Sequence, residues 1–368
     1  MQDRNAAQLL AKVMGWQDPA TVSRYLPELQ LLADYKYDHY QRFGPGLRFI
    51  ESLALWLEQF AQVDREAALE LVAEHLVYIS DAEFSHLVQT AYPDYIVQER
   101  MSLVAEEHDI PTHRVGLIAR HPRHEELRLK SLYLGLSDGA RTNELRRASD
   151  GGISNEQIWQ AYELGEQKSG DMLKALKESM EHQGSGVAAP KFNLIWLLDD
   201  FSGSGNTYIR YDGAKKVFKG KLKKVYDQLH SEQLVDPSHY EVFLLLYVAT
   251  RQALDHIEYW CERFTSDNGY KPLQIRVLCL LERDIALTRL PAGRVTDLLA
   301  KAQYFDQRVA EDRHIEVGGT DGRLGFAGCA LPVVLSHNTP NNSVYLLWGP
   351  ETYRFFGLFP RMSRHRDT

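Results

Sequence analysis

Three stretches of this chain are apolar without alternation: NLIWLL (193–198), EVFLLLYVAT (241–250) and QIRVLCLL (274–281). A strand with one wet face alternates apolar and polar side chains, whereas a strand buried on both faces does not. Each run falls well short of the ~20 apolar residues that a membrane-spanning helix needs. Short buried strands separated by helical stretches predict an α/β fold: a parallel sheet flanked by helices on both faces. LRLKSLYLGL (127–136) predicts a further strand, which runs into a turn containing Gly and Asp. SNEQIWQAYELGEQKSGDMLKALKESM (154–180) reads as one long amphipathic helix capped by Ser154.

The first 110 or so residues have a different texture. Phe49, Ile50, Leu53, Trp56, Leu57 and Phe60 share one helical face, and the breaker FGPG (43–46) places the start of that helix near Leu47. REAALELVAEHLVYI (65–79) continues the helical period, and Ser80 and Asp81 offer a cap for the next helix. The aromatics of YKYDHYQRF (35–43) are read as core packing between helices. The expected organisation is therefore an all-helical domain over 1–110, then an α/β domain with a C-terminal extension over 111–368. A chain of 368 residues is long enough for one large core or for two. Its net charge of −8 gives no general attraction to nucleic acid. The N-terminus lacks a signal-peptide pattern. Cys261, Cys279 and Cys329 lie far apart with no CxxC pair, so structural thiols in a reducing cytoplasm are expected and membrane association is not.

The central predicted strand ends in LIWLLDDFSGSGNT (194–207). Ligands of open α/β sheets bind at the carboxyl ends of strands. Two adjacent carboxylates repel each other and suit a core poorly. Asp199 and Asp200 become favourable where they accept hydrogen bonds from vicinal sugar hydroxyls or hold Mg²⁺, directly or through water. Gly203, Ser204, Gly205, Asn206 and Thr207 then supply small residues, hydroxyls and backbone N–H groups. Ahead of a helix, such a loop takes phosphate. A sugar 5-phosphate satisfies both halves of the segment. The loop has neither the spacing of a dinucleotide-binding turn nor the GK[ST] of a Walker loop.

The same fourteen residues resemble the phosphoribosyl-diphosphate (PRPP) motif of type I phosphoribosyltransferases: an apolar strand, an acidic pair, then a Thr/Ser-Gly-x-Thr phosphate loop. The resemblance implies that Asp199 and Asp200 hold the ribose hydroxyls and Mg²⁺, while residues 203–207 hold the 5-phosphate. It also implies an upstream diphosphate loop. By chain order that is GLSDGART (135–142), with Gly135, Ser137, Asp138, Gly139 and Arg141, although an ordinary strand–helix connection capped by Asp138 remains open. HQGSGVAAP (182–190) falls where the family carries a flap. Gly203 stands where purine-salvage members have a general-base Asp. Over nearly its full length, through YKYDHYQRF, FIESLALWLEQF, GLSDGARTNELRR, SHNTPNNSVYLLW and GLFPRMSRH, the chain is similar to phosphoribosyltransferase-like proteins of bacterial conflict systems, some of them beside the reverse transcriptases of retrons.

That similarity implies an anti-phage effector that binds PRPP or a related nucleotide with Mg²⁺ and transfers or releases a phosphoribosyl group. Two other readings stay open. The site could sense such a ligand without turnover, or the chain could be a nucleic-acid-binding subunit beside a reverse transcriptase and its DNA or RNA product. KKVFKGKLKK (215–224), six lysines in ten residues, would on a helix give a basic face for a phosphate backbone. HNTPNNS (337–343) is a polar loop read either as a ligand contact or as a turn, and RMSRHR (361–366) is a basic tail.

Overall fold

The computed structural model describes residues 3–44, 47–184, 189–310, 315 and 317–361. Pro45 and Gly46 of FGPG, residues 185–188 of the 182–190 loop, and all of the basic tail beyond Arg361 lie outside the described residues. The chain divides into two compact units, one of residues 1–84 with 282–368 and the other of residues 85–281.

The second unit carries a five-stranded, wholly parallel sheet: β1 (Ser131–Gly135), β2 (Ile158–Gln160), β3 (Leu194–Ser202), β4 (Glu241–Thr250) and β5 (Leu273–Leu281), in the order β2-β1-β3-β4-β5. The α/β fold expected from the apolar runs is the one observed. Leu132, Leu134, Ile195, Leu197, Val242, Leu244 and Leu246 point to one face. There they pack on the helices Glu166–His182, Lys221–Ser231 and Arg251–Asn268 through Leu176, Leu222, Val225, Ile257 and Phe264. Tyr133, Trp196 and Phe243, partners in register, point to the other face, and Trp196 stacks on Phe243 at 4.4 Å. The helix Gln98–Glu107 covers that side through Glu99, which is paired with Arg276 of β5.

Segment 154–180 is not a single helix. Ser154 and Gln157 close a capping box on one 3₁₀ turn, residues 158–160 form edge strand β2, and the helix proper starts after Gly165. Ladder bonding of Ile158–Gln160 to Tyr133–Gly135 outweighs the helical period of a short amphipathic stretch.

The first unit is not purely helical, and it does not end at residue 110. Val77–Ile79 pairs in parallel with Val333–Leu335, and Leu71–His75 forms a π-helical turn. Its core mixes N- and C-terminal residues. The rings of Tyr37, Tyr40, Phe43, Phe49 and Tyr78 surround Phe359 at 5.2–6.0 Å, and the Trp56 indole N–H donates to the Leu346 carbonyl at 2.9 Å. Tyr37 and Tyr40 are thus core side chains, as expected, while Tyr35 is exposed. Of Ser80 and Asp81, the two residues expected to cap the helix Asp81–Ala91, Ser80 does so, in a capping box closed by Glu83. Near the C-terminus Val333–Leu335 is a strand and Tyr345–Trp348 is a helical turn.

Candidate active site at the β1–β3 strand ends

In the order β2-β1-β3-β4-β5 the chain passes from β1 to β2 on one side of it, and β3 then lies on the other side. The crevice between β1 and β3 is therefore a topological switch point, where ligands of open α/β sheets bind. Both loops singled out in the sequence leave the sheet here. Leu136, just past β1, donates its N–H to the Leu198 carbonyl at 2.8 Å, which keeps the two strand ends in step.

The acidic pair divides its tasks. Asp199 is buried, 1% exposed. One oxygen accepts from the Ser137 hydroxyl; the other accepts from Tyr208 at 2.7 Å and from the Lys221 ammonium at 2.8 Å. Burial raises its pKa, the Asp200 charge adds to the rise, and Lys221 and Ser137 oppose it. The same burial, with the Asp199 carboxylate alongside, pushes the Tyr208 hydroxyl well above its ordinary pKa, so it stays a donor. Asp200 is half-buried, and its Oδ1 accepts from the Phe201 N–H at 2.8 Å. Its Oδ2 faces the backbone of Gly139: a Cβ added there would stand 2.2 Å from it. The diphosphate-loop candidate and the acidic pair are thus in contact.

Two turns complete the crevice. In the 203–207 loop Gly205 sits at φ +77°, and a Cβ there would meet the Ala253 carbonyl at 2.8 Å and His256 at 2.9 Å. Only glycine fits both the backbone and the space. Thr250, at the end of β4, donates to the Gly203 carbonyl at 2.6 Å and caps the helix Arg251–Asn268. Among the described residues the amide N–H groups of Ser204, Gly205 and Thr207 have no acceptor. Ser204 is buried, with its hydroxyl accepting from the Asn206 N–H at 3.4 Å; Asn206 is half-buried and Thr207 exposed. In the other turn, Ser137 and Gly139 also have amides without acceptors. Asp138 is exposed, and Tyr247 of β4 donates to the Ala140 carbonyl at 3.3 Å. Arg141 adopts a left-handed backbone, φ 49°, and pairs with Glu144 at 3.0 Å. Gly135 lies against Gln160 and Thr142, at the root of the loop.

Two expectations change. The 203–207 loop does not run straight into a helix. It turns once, enters the hairpin Arg210–Asp212/Val217–Lys219, and the helix Lys221–Ser231 then returns to it, its Lys221 N–H donating to the Thr207 carbonyl at 3.1 Å. Nor are the six lysines of 215–224 one helical face. Lys215 and Lys216 lie in the hairpin turn, Lys219 pairs with Asp212, Lys221 with Asp199 and Lys223 with Asp227. HNTPNNS belongs to the first unit and is internally bonded: Thr339 donates to the Phe359 carbonyl and Asn342 to the Phe326 carbonyl.

Tyr208, Lys221 and Thr250 were not foreseen as site-shaping residues. Tyr208 follows the motif directly, and Thr250 is a hydroxyl residue at an apolar-to-helical boundary, which is the usual cap signal. For Mg²⁺, the half-buried Asp200 beside the Gly139 turn fits a hydrated ion, whereas Asp199 is buried and paired with Lys221. Among the described residues the set of three metal-ligating side chains lying close together is Glu70, Glu74 and His75, which does not include the acidic pair. Mg²⁺ commonly binds through one or two carboxylates plus substrate phosphates, so such a site needs no protein cage.

A parallel sheet with an acidic pair at its switch point and a glycine loop on the adjoining turn defines a phosphoribosyltransferase-like protein. More narrowly, the chain belongs to the PRTase-CE family, whose model matches residues 53–361. No curated protein and no solved structure matches it significantly. Among the described residues no helix is long and apolar enough to cross a membrane.

Proposed function

We propose that the β1–β3 crevice binds PRPP, or a closely related ribose 5-phosphate ligand, together with Mg²⁺, and that the chain transfers or releases its phosphoribosyl group. The observation that carries the reading is the meeting of Asp200 with the Gly139 turn beside unpartnered amides of the 203–207 loop. Asp200 accepts from the ribose hydroxyls. Asp199 is a positioning residue, tying β3 to Ser137 and Lys221. The amides of 204, 205 and 207, with the Ser204 and Thr207 hydroxyls, take the 5-phosphate. The amides of Ser137 and Gly139 and the Arg141 guanidinium take the diphosphate. When bound through Asp200, Mg²⁺ supplies charge neutralisation for the leaving group.

Transfer breaks the bond from ribose C1 to the diphosphate oxygen, and the electron pair leaves with diphosphate. The acceptor forms the new bond to C1 and gives up its proton to solvent. The sugar passes through an oxocarbenium-like state, and the chain's work is orientation and stabilisation of the departing charge. In the anti-phage setting that the resemblance implies, the acceptor is a cellular nucleotide, a nucleic acid or water, and a reverse transcriptase with its product is the partner. Lys215, Lys216 and Lys224 are the exposed lysines of the 215–224 run and would be the ones to meet a nucleic-acid backbone.

A second reading, a sensor without turnover, is favoured by a specific feature. Gly203 leaves no carboxylate where purine-salvage enzymes place a base, and Asp199 is already neutralised by Lys221. Diphosphate release from PRPP with Mg²⁺, assayed with a panel of bases, nucleotides and single-stranded DNA, separates the two. Release that Asp200→Asn abolishes supports transfer. Calorimetric PRPP binding without release, also lost in Asp200→Asn, supports sensing. Neither release nor binding overturns both.

A further inference from the structure

The face of the sheet opposite the large apolar core holds a cluster that the proposed activity does not use. Arg100, on the helix Gln98–Glu107, is 2% exposed. Its Nη2 reaches the Tyr92 hydroxyl at 3.4 Å, and the guanidinium lies 5.8 Å from the Tyr92 ring centre. Its Nε and Nη1 are buried and have no acceptor, and among the described residues no carboxylate pairs with it. The neighbouring carboxylate, Glu125, is committed elsewhere: Arg128 holds both its oxygens, at 2.7 and 2.6 Å, and Gln183 donates to one of them at 2.6 Å.

The surroundings add donors. The His124 Nε2 is buried without a partner, as is the Tyr133 hydroxyl in the middle of β1. Burial, followed by the charge of Arg100, lowers the His124 pKa, and Arg128 adds to the effect. Burial pushes Tyr133 up to about 12 while Arg100 pulls it down, so this phenol keeps its proton. Trp196, the register partner of Tyr133 on β3, has a buried indole N–H with no acceptor. Arg100 can only donate, and Tyr133 and His124, both of which feel its charge, can donate as well. A buried guanidinium with two nitrogens lacking acceptors, and with Glu125 committed to Arg128, calls for a negatively charged acceptor. Tyr92 itself begins a π-helical segment, Tyr92–Val97, a distortion often found at functional sites.

We propose that Arg100, Tyr133 and His124 form a buried binding site for a small anion, a halide or a carboxylate group, between the helix Gln98–Glu107 and β1. The site is separate from the 203–207 loop and does not depend on how that loop is used. Bound there, an anion clamps the covering helix onto the strand whose far end carries the 135–141 turn.

The test is thermal unfolding of the full chain in sodium chloride and in sodium formate, each against sodium gluconate at equal ionic strength. Wild type is expected to gain Tm with the logarithm of small-anion concentration, beyond gluconate, because the ligand binds the folded state. Tyr133→Phe should need about ten times more anion for the same gain. Arg100→Met should show no excess over gluconate. Chloride and formate acting alike point to a general small-anion site, whereas a gain with formate alone points to a carboxylate ligand. Should Arg100→Met fail to fold, Tyr133→Phe and His124→Gln decide by the same shift. No excess in wild type, or an undiminished excess in the variants, overturns the site.

Discussion

Replacing Lys221 with methionine leaves the buried Asp199 carboxylate with two neutral donors, Ser137 and Tyr208, and no counter-charge. Removing one partner of a buried ion pair costs about 3–5 kcal/mol. Lys221 is 29% exposed, and water takes over part of its work, so about 2–3 kcal/mol is expected at neutral pH. The pH dependence identifies the cause. Asp199 already has a raised pKa, chiefly from burial. A carboxylate whose folded pKa exceeds its unfolded value favours folding at low pH and loses that advantage as pH rises through the interval between the two. Without Lys221 the folded pKa climbs further, and each added unit costs about 1.4 kcal/mol once the group must ionise. Urea unfolding at pH 4.5 and pH 7.5 should therefore show the variant close to wild type at the lower pH and clearly weaker at the higher. Adding Asp199→Asn should recover much of the deficit at pH 7.5. An equal deficit at both pH values, with no recovery in the double variant, would refute the assignment of Lys221 as the counter-charge of Asp199.

Other expectations follow from the same geometry. Gly205→Ala combines a left-handed backbone with a Cβ 2.8 Å from the Ala253 carbonyl, so a loss of about 2–4 kcal/mol is expected in chemical denaturation, whereas Gly213→Ala, with open space around it, should stay within about 0.5 kcal/mol. Gly139→Ala should retain most stability, since the half-buried Asp200 can turn aside, but lose at least about tenfold in calorimetric PRPP affinity as the new methyl displaces that carboxylate. In the first unit, Asp306 is held down at about 2, chiefly by hydrogen bonds from Arg308. Its contribution is complete above the ordinary carboxylate pKa and disappears as pH falls toward 2, so Asp306→Asn should cost about 1–2 kcal/mol at pH 7 and nothing near pH 2 by urea unfolding.

The main strands were legible because burial on both faces removes polar residues from them: β4 and β5 lie within a residue of their apolar runs, and β3 starts within a residue of its own but continues through Asp199 and Asp200 to Ser202. Edge strand β2 was not legible. Its three residues are only half-buried, and their place depends on pairing with β1. The hairpin after Ile209 carried a signal, Asp212-Gly213, but the surrounding lysines resembled a basic helix. The union of residues 1–84 with 282–368 rests on contacts such as Tyr40 with Phe359, hundreds of residues apart in sequence, which no local pattern reveals. At the site, type and spacing located the acidic pair and its loops. That Asp199 is the buried, lysine-paired carboxylate was not readable, because that depends on Lys221 returning from beyond an unforeseen hairpin.

Calorimetric titration of the full chain with PRPP and Mg²⁺, beside Asp200→Asn and Gly205→Ala, decides whether Asp200 and the 203–207 loop bind a ribose 5-phosphate ligand. Wild type should bind saturably, with affinity falling at least about tenfold in each variant and Asp200→Asn still folded by circular dichroism. Wild-type binding that both variants retain, or no binding by a folded wild type, would contradict it.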